Sequence, residues 1–299
     1  MRRTLILLAC LGLTLTACAN APSPTSDGSG SEDLVAVLQE ASDRTLDAGS
    51  ARMTFEFDIA AAGRTQRMNG TAEFLFGGGD PAEVEAHMTF EYPDAGQGVP
   101  GGTMEMILDR GPVIYVNADL LASMFPVETP WIKLDPSVMG EGWADVSSFG
   151  GAQADPSSTF GFLYGAIDVQ VVGQDVIDGE AATHYRATVD LGAAMEQVPD
   201  AQRAAMREAV RALREQTGGD LPELPIDVWI ADGLLKRMSY ELSMDGVDGV
   251  EGGVSMSATL TLSDIGGSFR IDPPPADQVT DLSELAGMWG NATGAVPPA

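Results

Sequence analysis

The sequence predicts an α+β domain in which a curled antiparallel β-sheet of about eleven strands has helices covering its concave face. Two observations predict this fold class. Apolar residues occupy every second position in one segment after another, which is typical of half-buried antiparallel strands. Helical periodicity is confined to a few segments, one of them before the first strand. A sheet of that length must curl, and helices laid on it can enclose an apolar space.

The N-terminus combines two basic residues, a short apolar run and a cysteine. Two arginines precede an apolar run from Thr4 to Ala17, which is too short to span a bilayer as a helix and is typical of a secretory signal. The sequence LTAC, ending at Cys18, resembles the lipobox, whose cysteine is acylated and becomes the new N-terminus. The alternative is an ordinary secretory signal with an accidental cysteine. We favour the lipobox, and expect a signal peptide at 1–17 and an anchor at Cys18 on the outer face of the cytoplasmic membrane.

The composition bears on partners and on stability. The chain has 16 Lys and Arg against 44 Asp and Glu, a formal net charge of −28, so a nucleic-acid partner held by a broad basic surface is not expected. Of its 2 cysteines, Cys10 lies in the signal peptide and Cys18 is the predicted anchor, so no disulfide is expected in the mature fold. Stability must then come from the hydrophobic core.

Three further segments complete the predicted domain organisation. The segment 18–31 is small, polar and proline-containing, which predicts a flexible tether. A single folded domain is expected at 32–289 and a disordered tail at 290–299. The domain opens with an amphipathic helix, because Glu32 to Leu46 has apolar residues at near-helical spacing and Gly49 follows.

Period-two alternation starts directly after this helix. In ARMTFEFDIAA, apolar residues from Met53 to Ile59 lie on one face of the predicted strand and polar residues lie on the other. The same alternation predicts two groups of further strands. The first group is at Met68–Phe76, Val84–Tyr92, Met104–Leu108, PVIYVN and PWIKLD, and the second is at IDVQVVGQDVID, EAATHYRATVDL, PIDVWIAD, LLKRMSYELSMD and VSMSATLTLSD.

Other helices are predicted between and after these strands. ADLLASMF predicts a helical turn, and a short helix is expected around Phe160 to Tyr164. The strongest helical pattern runs from Asp200 to Gln216, and its apolar stripe contains Met206 and Leu213. After three consecutive prolines, ADQVTDLSEL predicts a final short helix packed on the sheet.

Several features occur together: the lipobox, the tether, the N-terminal helix, the meander, and the segments PWIKLD, ATHYRATVDL, IDVWIADGLLKRMSYEL and FRIDPPPADQVTDLSEL. Together they resemble the actinobacterial lipoproteins of the LppX and LprG type, within the LolA-like group of lipoprotein and lipid carriers. The resemblance implies a half-barrel whose helices close an apolar cavity, and binding or transport of acylated lipids across the envelope. The acidic inserts YPDAGQGVPGG and DGVDGVEGG depart from the family pattern.

Methionine is frequent on the inward faces of the predicted strands, and its unbranched side chain adapts to variable contents such as acyl chains. The alternative is that these methionines fill the gap between the sheet and the helices. The residues expected to line an apolar cavity are Phe55, Phe57, Phe74, Phe76, Met88, Phe90, Met104, Met106, Met206, Leu213, Met238, Tyr240 and Met256.

Candidates for catalysis and metal binding are few. The chain has 2 histidines, and strand parity places both His87 and His184 on the outward face. It has no G-x-S-x-G elbow, and no spacing marks a glycosidase pair among its many carboxylates. The acids of DGVDGVEGG are three residues apart, which fits a solvated hairpin turn better than a calcium loop. We therefore expect no enzyme, no cofactor and no metal.

Four arginines, Arg203, Arg207, Arg211 and Arg214, line one side of the predicted long helix. One interpretation is a solvated face paired with nearby glutamates, and the other is a docking edge that meets lipid phosphates or an acidic partner. The expected function is binding of a lipid or glycolipid by a monomer, with an envelope lipid transporter as a further partner. The alternative function is a surface interaction or sensor module with a filled core.

Overall fold

The computed structural model describes residues 29–61, 63–76, 83–93, 101–110, 113–118, 127, 129–135, 159–197, 211, 223–244 and 253–282. These residues form a twelve-stranded, curled and unclosed sheet with few helices. The predicted fold class, an α+β half-barrel, is therefore confirmed.

The helices and strands follow one another in an order close to the predicted one. Two α-helices are described, α1 at Ser29–Asp47 and α2 at Leu191–Gln197, with 3-10 helices at Gly161–Gly165 and Ala276–Gln278. The strands are β1 Ser50–Ala61, β2 Arg64–Phe76, β3 Val84–Tyr92, β4 Gly102–Asp109, β5 Val113–Ala118, β6 Trp131–Leu134, β7 Ala166–Ile177, β8 Glu180–Val189, β9 Leu224–Ala231, β10 Leu234–Met244, β11 Val254–Ser263 and β12 Val279–Asp281.

The sheet consists of two meanders that meet in its middle. Its strand order is β12-β6-β5-β4-β3-β2-β1-β11-β10-β9-β8-β7, so β1 pairs with β2 on one side and with β11 on the other. The pairing of β12 with β6 is parallel, whereas the other pairings in the described sheet are antiparallel. The two meanders are thus joined by the pairing of β1 with β11, the first and the eleventh of the twelve described strands.

Two hairpins of the second meander turn at an Asp-Gly pair. Asp178 and Gly179 connect β7 to β8, and Asp232 and Gly233 connect β9 to β10, all four with positive φ. Two consecutive residues with positive φ form the turn whose twist matches that of the flanking strands, and Asp-Gly adopts it at low cost. This local chemistry sets the pairing of β7 with β8 and of β9 with β10.

Helix α1 is held against the sheet at the end where β1 begins. Leu38 and Ala41 on its apolar face are buried in the core. Thr45 Oγ1 donates to the carbonyl of Ala41 and accepts from the backbone N–H of Leu235 at 2.9 Å, at the start of β10. The helix also contacts β7 and the first 3-10 helix.

The first 3-10 helix is fixed to α1 by polar contacts and to the core by apolar ones. Gln39 donates to the carbonyl of Tyr164, and the Tyr164 hydroxyl donates to Asp43. Burial, followed by this bond, raises the pKa of Tyr164 above its ordinary value. Phe160 and Leu163 are fully buried beneath. The helical segment expected around Phe160 to Tyr164 is therefore present and packs on α1.

Two elements differ from the predictions. Helix α2 follows β8 and was not expected; it begins there because Asp190 Oδ1 accepts hydrogen bonds from the N–H groups of Gly192 and Ala193. Strand β12 was not expected either; it lies in the segment predicted to lead into a final short helix and is added to the edge of β6, and the last described residue of that segment, Leu282, is helical. An edge strand presents unpaired backbone groups, and β12 satisfies those of β6.

Several predictions lie outside the described residues. These are the signal peptide, Cys18, the helical turn in ADLLASMF, the two acidic inserts apart from their ends, the tail at 290–299, and the helix at Asp200 to Gln216 except Arg211. Arg211 is helical and exposed. Within the part of the chain that the structure describes, no helix combines the length and hydrophobicity needed to cross a membrane.

Candidate functional site

The pairing register aligns the inward-facing side chains of neighbouring strands into rows that cross the sheet, and four successive rows lead from the core to the rim. The inner row is Met53, Ala72, Met88, Met106, Val116 and Leu262. The middle row is Phe55, Gly70, Phe90, Met104, Val228, Met238 and Leu260. The outer row is Phe57, Met68, Ile226, Tyr240 and Ala258. The rim row is Ile59, Gln66, Leu242 and Met256.

Burial decreases from the inner row to the rim row. Every side chain of the inner row is buried, as Met88 illustrates at 1% exposure. In the middle and outer rows, the side chains on β9 and β11 are buried. The side chains of the same rows on β2, β3 and β4 are partly exposed; Gly70 on β2 has no side chain. In the rim row Ile59, Leu242 and Met256 are partly exposed, and Gln66 is exposed. The concave face is therefore closed at the α1 end and accessible at the other end.

The accessible part of this face is apolar and aromatic. The residues of the four rows include no charged side chain. The ring of Phe55 lies 5.6 Å from that of Phe57 and 4.9 Å from that of Phe90, measured between centroids. Phe55 can lie across the sheet because Gly70, its partner on β2, has no side chain. Such a surface interacts with a ligand through burial of apolar area and not through charge.

The residues predicted to line a cavity divide into two groups. Phe55, Phe74, Phe76, Met88, Met106 and Met238 are buried in the core. Phe57, Phe90, Met104, Tyr240 and Met256 are partly exposed on the concave face. Met206 and Leu213 lie outside the described residues. The structure thus brings eleven of the predicted residues to one face of the sheet but leaves only the second group in contact with the accessible space.

Phe74 and Phe76 lie deepest, at the end of β2 covered by the 3-10 helix. Their rings stack on each other with centroids 6.1 Å apart, and the Phe76 ring meets that of Phe160 edge-on at 6.4 Å. Both side chains are packed on all sides, since their exposed fractions are 2% and 1%. These two residues therefore belong to the closed core.

Three apolar residues of the accessible face were absent from the predicted lining: Ile59, Met68 and Leu242. Each is partly exposed and belongs to the outer or the rim row. Their signal was present in the sequence, because each continues the period-two alternation of its strand.

Tyr240 is the one polar side chain that the outer row carries on β10. It lies between Ile226 on β9 and Ala258 on β11, and Met238 and Leu242 flank it along the strand. Burial raises the pKa of its hydroxyl to about 12, and no hydrogen bond or charge adds to that effect. The hydroxyl is therefore a neutral donor in an apolar environment at any ordinary pH.

Both histidines lie on the convex face, as strand parity predicted. His87 Nε2 is 2.7 Å from Glu105 Oε1. His184 Nε2 is 2.7 Å from Asp227 Oδ1, and its ring stacks on that of Trp229 at 4.3 Å. Among the described residues, no group of three or more His, Cys, Asp or Glu side chains is arranged to hold a metal ion.

Comparison with curated proteins finds one partial relative. No family model matches the chain. A protein of Streptomyces griseus, described as an uncharacterized 31.2 kDa protein in the rplA-rplJ intergenic region, is 28% identical over 170 residues. The alignment covers 51% of this chain and 50% of that relative, so the chain matches about half of the relative's length.

Similar solved structures include LprF from Mycobacterium bovis and the lipoprotein LppX from Mycobacterium tuberculosis. LprF is 16% identical with a TM-score of 0.48, over 82% of this chain and 99% of LprF. LppX is 17% identical with a TM-score of 0.43, over 81% of this chain and 99% of LppX. A LolA superfamily protein from Nitrosomonas europaea is 11% identical with a TM-score of 0.27, over 81% of this chain and 94% of its own.

These structures belong to the groups that the sequence was expected to resemble, so that prediction is confirmed. With TM-scores below 0.5, these likenesses carry no argument about what the chain does. Function therefore has to be argued from the residues of this chain.

Proposed function

We propose that this chain is an envelope lipoprotein, anchored through acylated Cys18, that binds a lipid or acylated amphiphile against the concave face of its sheet. The observation that carries the proposal is the burial gradient along the four rows. Apolar side chains stay partly exposed at the end of the half-barrel away from α1, from Phe57 to Met256. Exposed apolar surface of this kind, on a concave face, is typical of ligand-binding or interaction sites.

Binding would come from burial of acyl methylene groups. Each methylene removed from water contributes about 0.8 kcal/mol, so a long acyl chain supplies enough free energy without any polar contact. Such a ligand undergoes no chemical step in the site, and the proposed protein is not an enzyme. Carriage or presentation of the ligand across the envelope, by a monomer that an envelope transporter loads, is the wider function that we propose.

The buried inner row favours a second candidate function. Its methionines are enclosed by other side chains of the chain itself, as the exposed fractions of Met53 and Met88, 2% and 1%, indicate. If the outer rows are likewise closed in solution, the domain is a surface interaction or sensor module with a filled core. This candidate predicts that the protein carries no lipid.

The experiment that distinguishes the lipid carrier from the interaction module is mass spectrometry of an organic extract of the protein. The protein is exported as a Cys18→Ser form and purified without detergent from a related bacterium. The carrier predicts a stoichiometric lipid in the extract. Substitutions at Phe74 or Met106 would damage the core, so the blocking variant is Met256→Trp, which fills the rim.

The matched control is Ser257→Trp, at the next residue of β11. Ser257 faces the convex side, opposite Asp58 and Glu241. We expect the lipid to disappear from Met256→Trp and to stay in Ser257→Trp. An extract without lipid from the unsubstituted protein would favour the interaction module.

A further inference from the structure

We infer that the Tyr240 hydroxyl is a polar anchor that donates a hydrogen bond to the ester carbonyl of a bound acyl lipid. The inference rests on the proposed function and goes beyond it, because it assigns a specificity-determining residue and a chemical class of ligand. The class is an acyl ester, as opposed to an ether or a hydrocarbon.

The first step of the argument is the placement of Tyr240. Its neighbours across the sheet are Ile226 and Ala258, each 1% exposed, and its neighbours along the strand on the same face are Met238 and Leu242. The side chain itself is partly buried and packs against the core. A hydroxyl is thus held among apolar groups on the concave face of the sheet.

The second step is the missing partner of this hydroxyl. Among the described residues, no group hydrogen-bonds the Tyr240 hydroxyl, and burial alone accounts for its raised pKa. By contrast, the hydroxyl of Tyr164 donates to Asp43. The Tyr240 side chain is partly exposed, and its hydroxyl is not among the fully buried polar atoms without a partner, of which Ser42 Oγ is the example in the described residues. A ligand acceptor would supply the partner that the chain does not.

The third step is the depth of Tyr240 along the sheet. Met238, one step deeper, is 1% exposed, whereas Leu242, one step towards the rim, is partly exposed. Alternate residues of a strand are about 7 Å apart, so Tyr240 lies at the boundary between closed core and accessible rim. A lipid whose acyl chain covers the partly exposed side chains, from Phe57 to Met256, would bring the ester carbonyl at the polar end of that chain to this boundary. A neutral phenol donates to a carbonyl oxygen, which matches the chemistry of that boundary.

The test uses two lipids that differ at this carbonyl. Monopalmitoylglycerol has an ester, and 1-O-hexadecylglycerol has an ether at the same position. Each would displace the fluorescent apolar probe N-phenyl-1-naphthylamine from the full-length Cys18→Ser protein, freed of copurified lipid. The variants are Tyr240→Phe and, as a matched control, Tyr115→Phe, which removes a hydroxyl from the convex side of β5 between the inward-facing Ile114 and Val116.

We expect Tyr240→Phe to weaken binding of the ester by about 2- to 10-fold, the range for one hydrogen bond, while the ether and the probe bind as before. Tyr115→Phe should change none of the three affinities. An unchanged ratio of ester to ether affinity in Tyr240→Phe would overturn the anchor and leave the proposed function intact. If the unsubstituted protein binds neither the probe nor the lipids, the proposed function fails and the anchor fails with it.

Discussion

Gly70 shows how one residue shapes the concave face. It stands between Phe55 on β1 and Phe90 on β3, and the Phe55 ring occupies the space that a side chain at position 70 would need. A Cβ atom there would overlap the ring and lie 2.5 Å from the carbonyl oxygen of Thr89. The aromatic ring can move but the backbone of β3 cannot easily do so, which makes the position intolerant of any side chain.

We therefore predict that Gly70→Ala destabilises the domain by about 1–3 kcal/mol, as expected for overpacking, although Gly→Ala exchanges elsewhere often stabilise. The measurement is the free energy of unfolding in urea. Gly173→Ala is the control, because a Cβ atom at Gly173 on β7 meets nothing within 4 Å. Equal stability of the two variants would show that Phe55 does not need this space.

At the scale of an element, one buried hydroxyl on helix α1 forms a hydrogen bond to the sheet, in addition to the apolar packing of the helix. Thr45 is fully buried, and its Oγ1 is the acceptor for the backbone N–H of Leu235, which is itself fully buried at the start of β10. Ser42, one turn earlier, is also fully buried, but its Oγ has no hydrogen-bond partner. The hydroxyls of Thr45 and Ser42 therefore differ in what they contribute to the stability of the domain.

We predict that Thr45→Val lowers the free energy of unfolding by about 1–3 kcal/mol, because it leaves the buried N–H of Leu235 without an acceptor while keeping the shape of the side chain. Thr45→Ser retains the hydroxyl and should cost less. Ser42→Ala removes a hydroxyl without a partner and should be neutral or stabilising. Urea denaturation of the three variants checks the order, and a Thr45→Val variant as stable as Thr45→Ser would contradict the role of the bond.

At the scale of the whole molecule, the C-terminal part of the chain connects the centre of the sheet to its far edge. After β11 in the middle, Gly266 donates to the carbonyl of Ser50, and Arg52 binds Asp264 while its guanidinium lies 5.6 Å from the centroid of the Phe269 ring. The chain then reaches β12 beside β6, where Lys133 pairs with Asp281 at 3.1 Å. Strands that are distant in the sheet are thus held by one continuous segment.

We predict that Thr280→Pro, in the middle of β12, frees this edge. Proline has no N–H to donate to the ladder, so β12 should detach from β6. Amide hydrogen exchange of Trp131–Leu134 should become about tenfold faster or more, whereas exchange along the β1–β11 ladder should stay unchanged. Thr280→Val, which removes only the contact with the Thr129 hydroxyl, is the control. Unchanged exchange in β6 would show that β12 contributes no protection there.

Much of the fold was predictable because its determinants are local. The alternation from Met53 to Ile59 assigns the inward face of β1 from neighbouring residues alone, and the buried positions agree with it. Strand β12 was missed because three residues with no alternation of their own form a strand only when β6 offers an edge. Helix α2 was missed because its seven residues carry little periodic signal, although Asp190 before it is a typical N-cap.

The sequence by itself determined the class of fold and the face on which each strand carries its apolar residues. Only the tertiary structure decided which of those residues are closed core and which remain accessible. The physical reason is that depth depends on pairing between distant parts of the chain, such as Phe55 with Leu260 and Tyr240 with Ile226. Phe74 and Phe57 have the same local pattern, but one lies beneath the 3-10 helix and the other towards the rim.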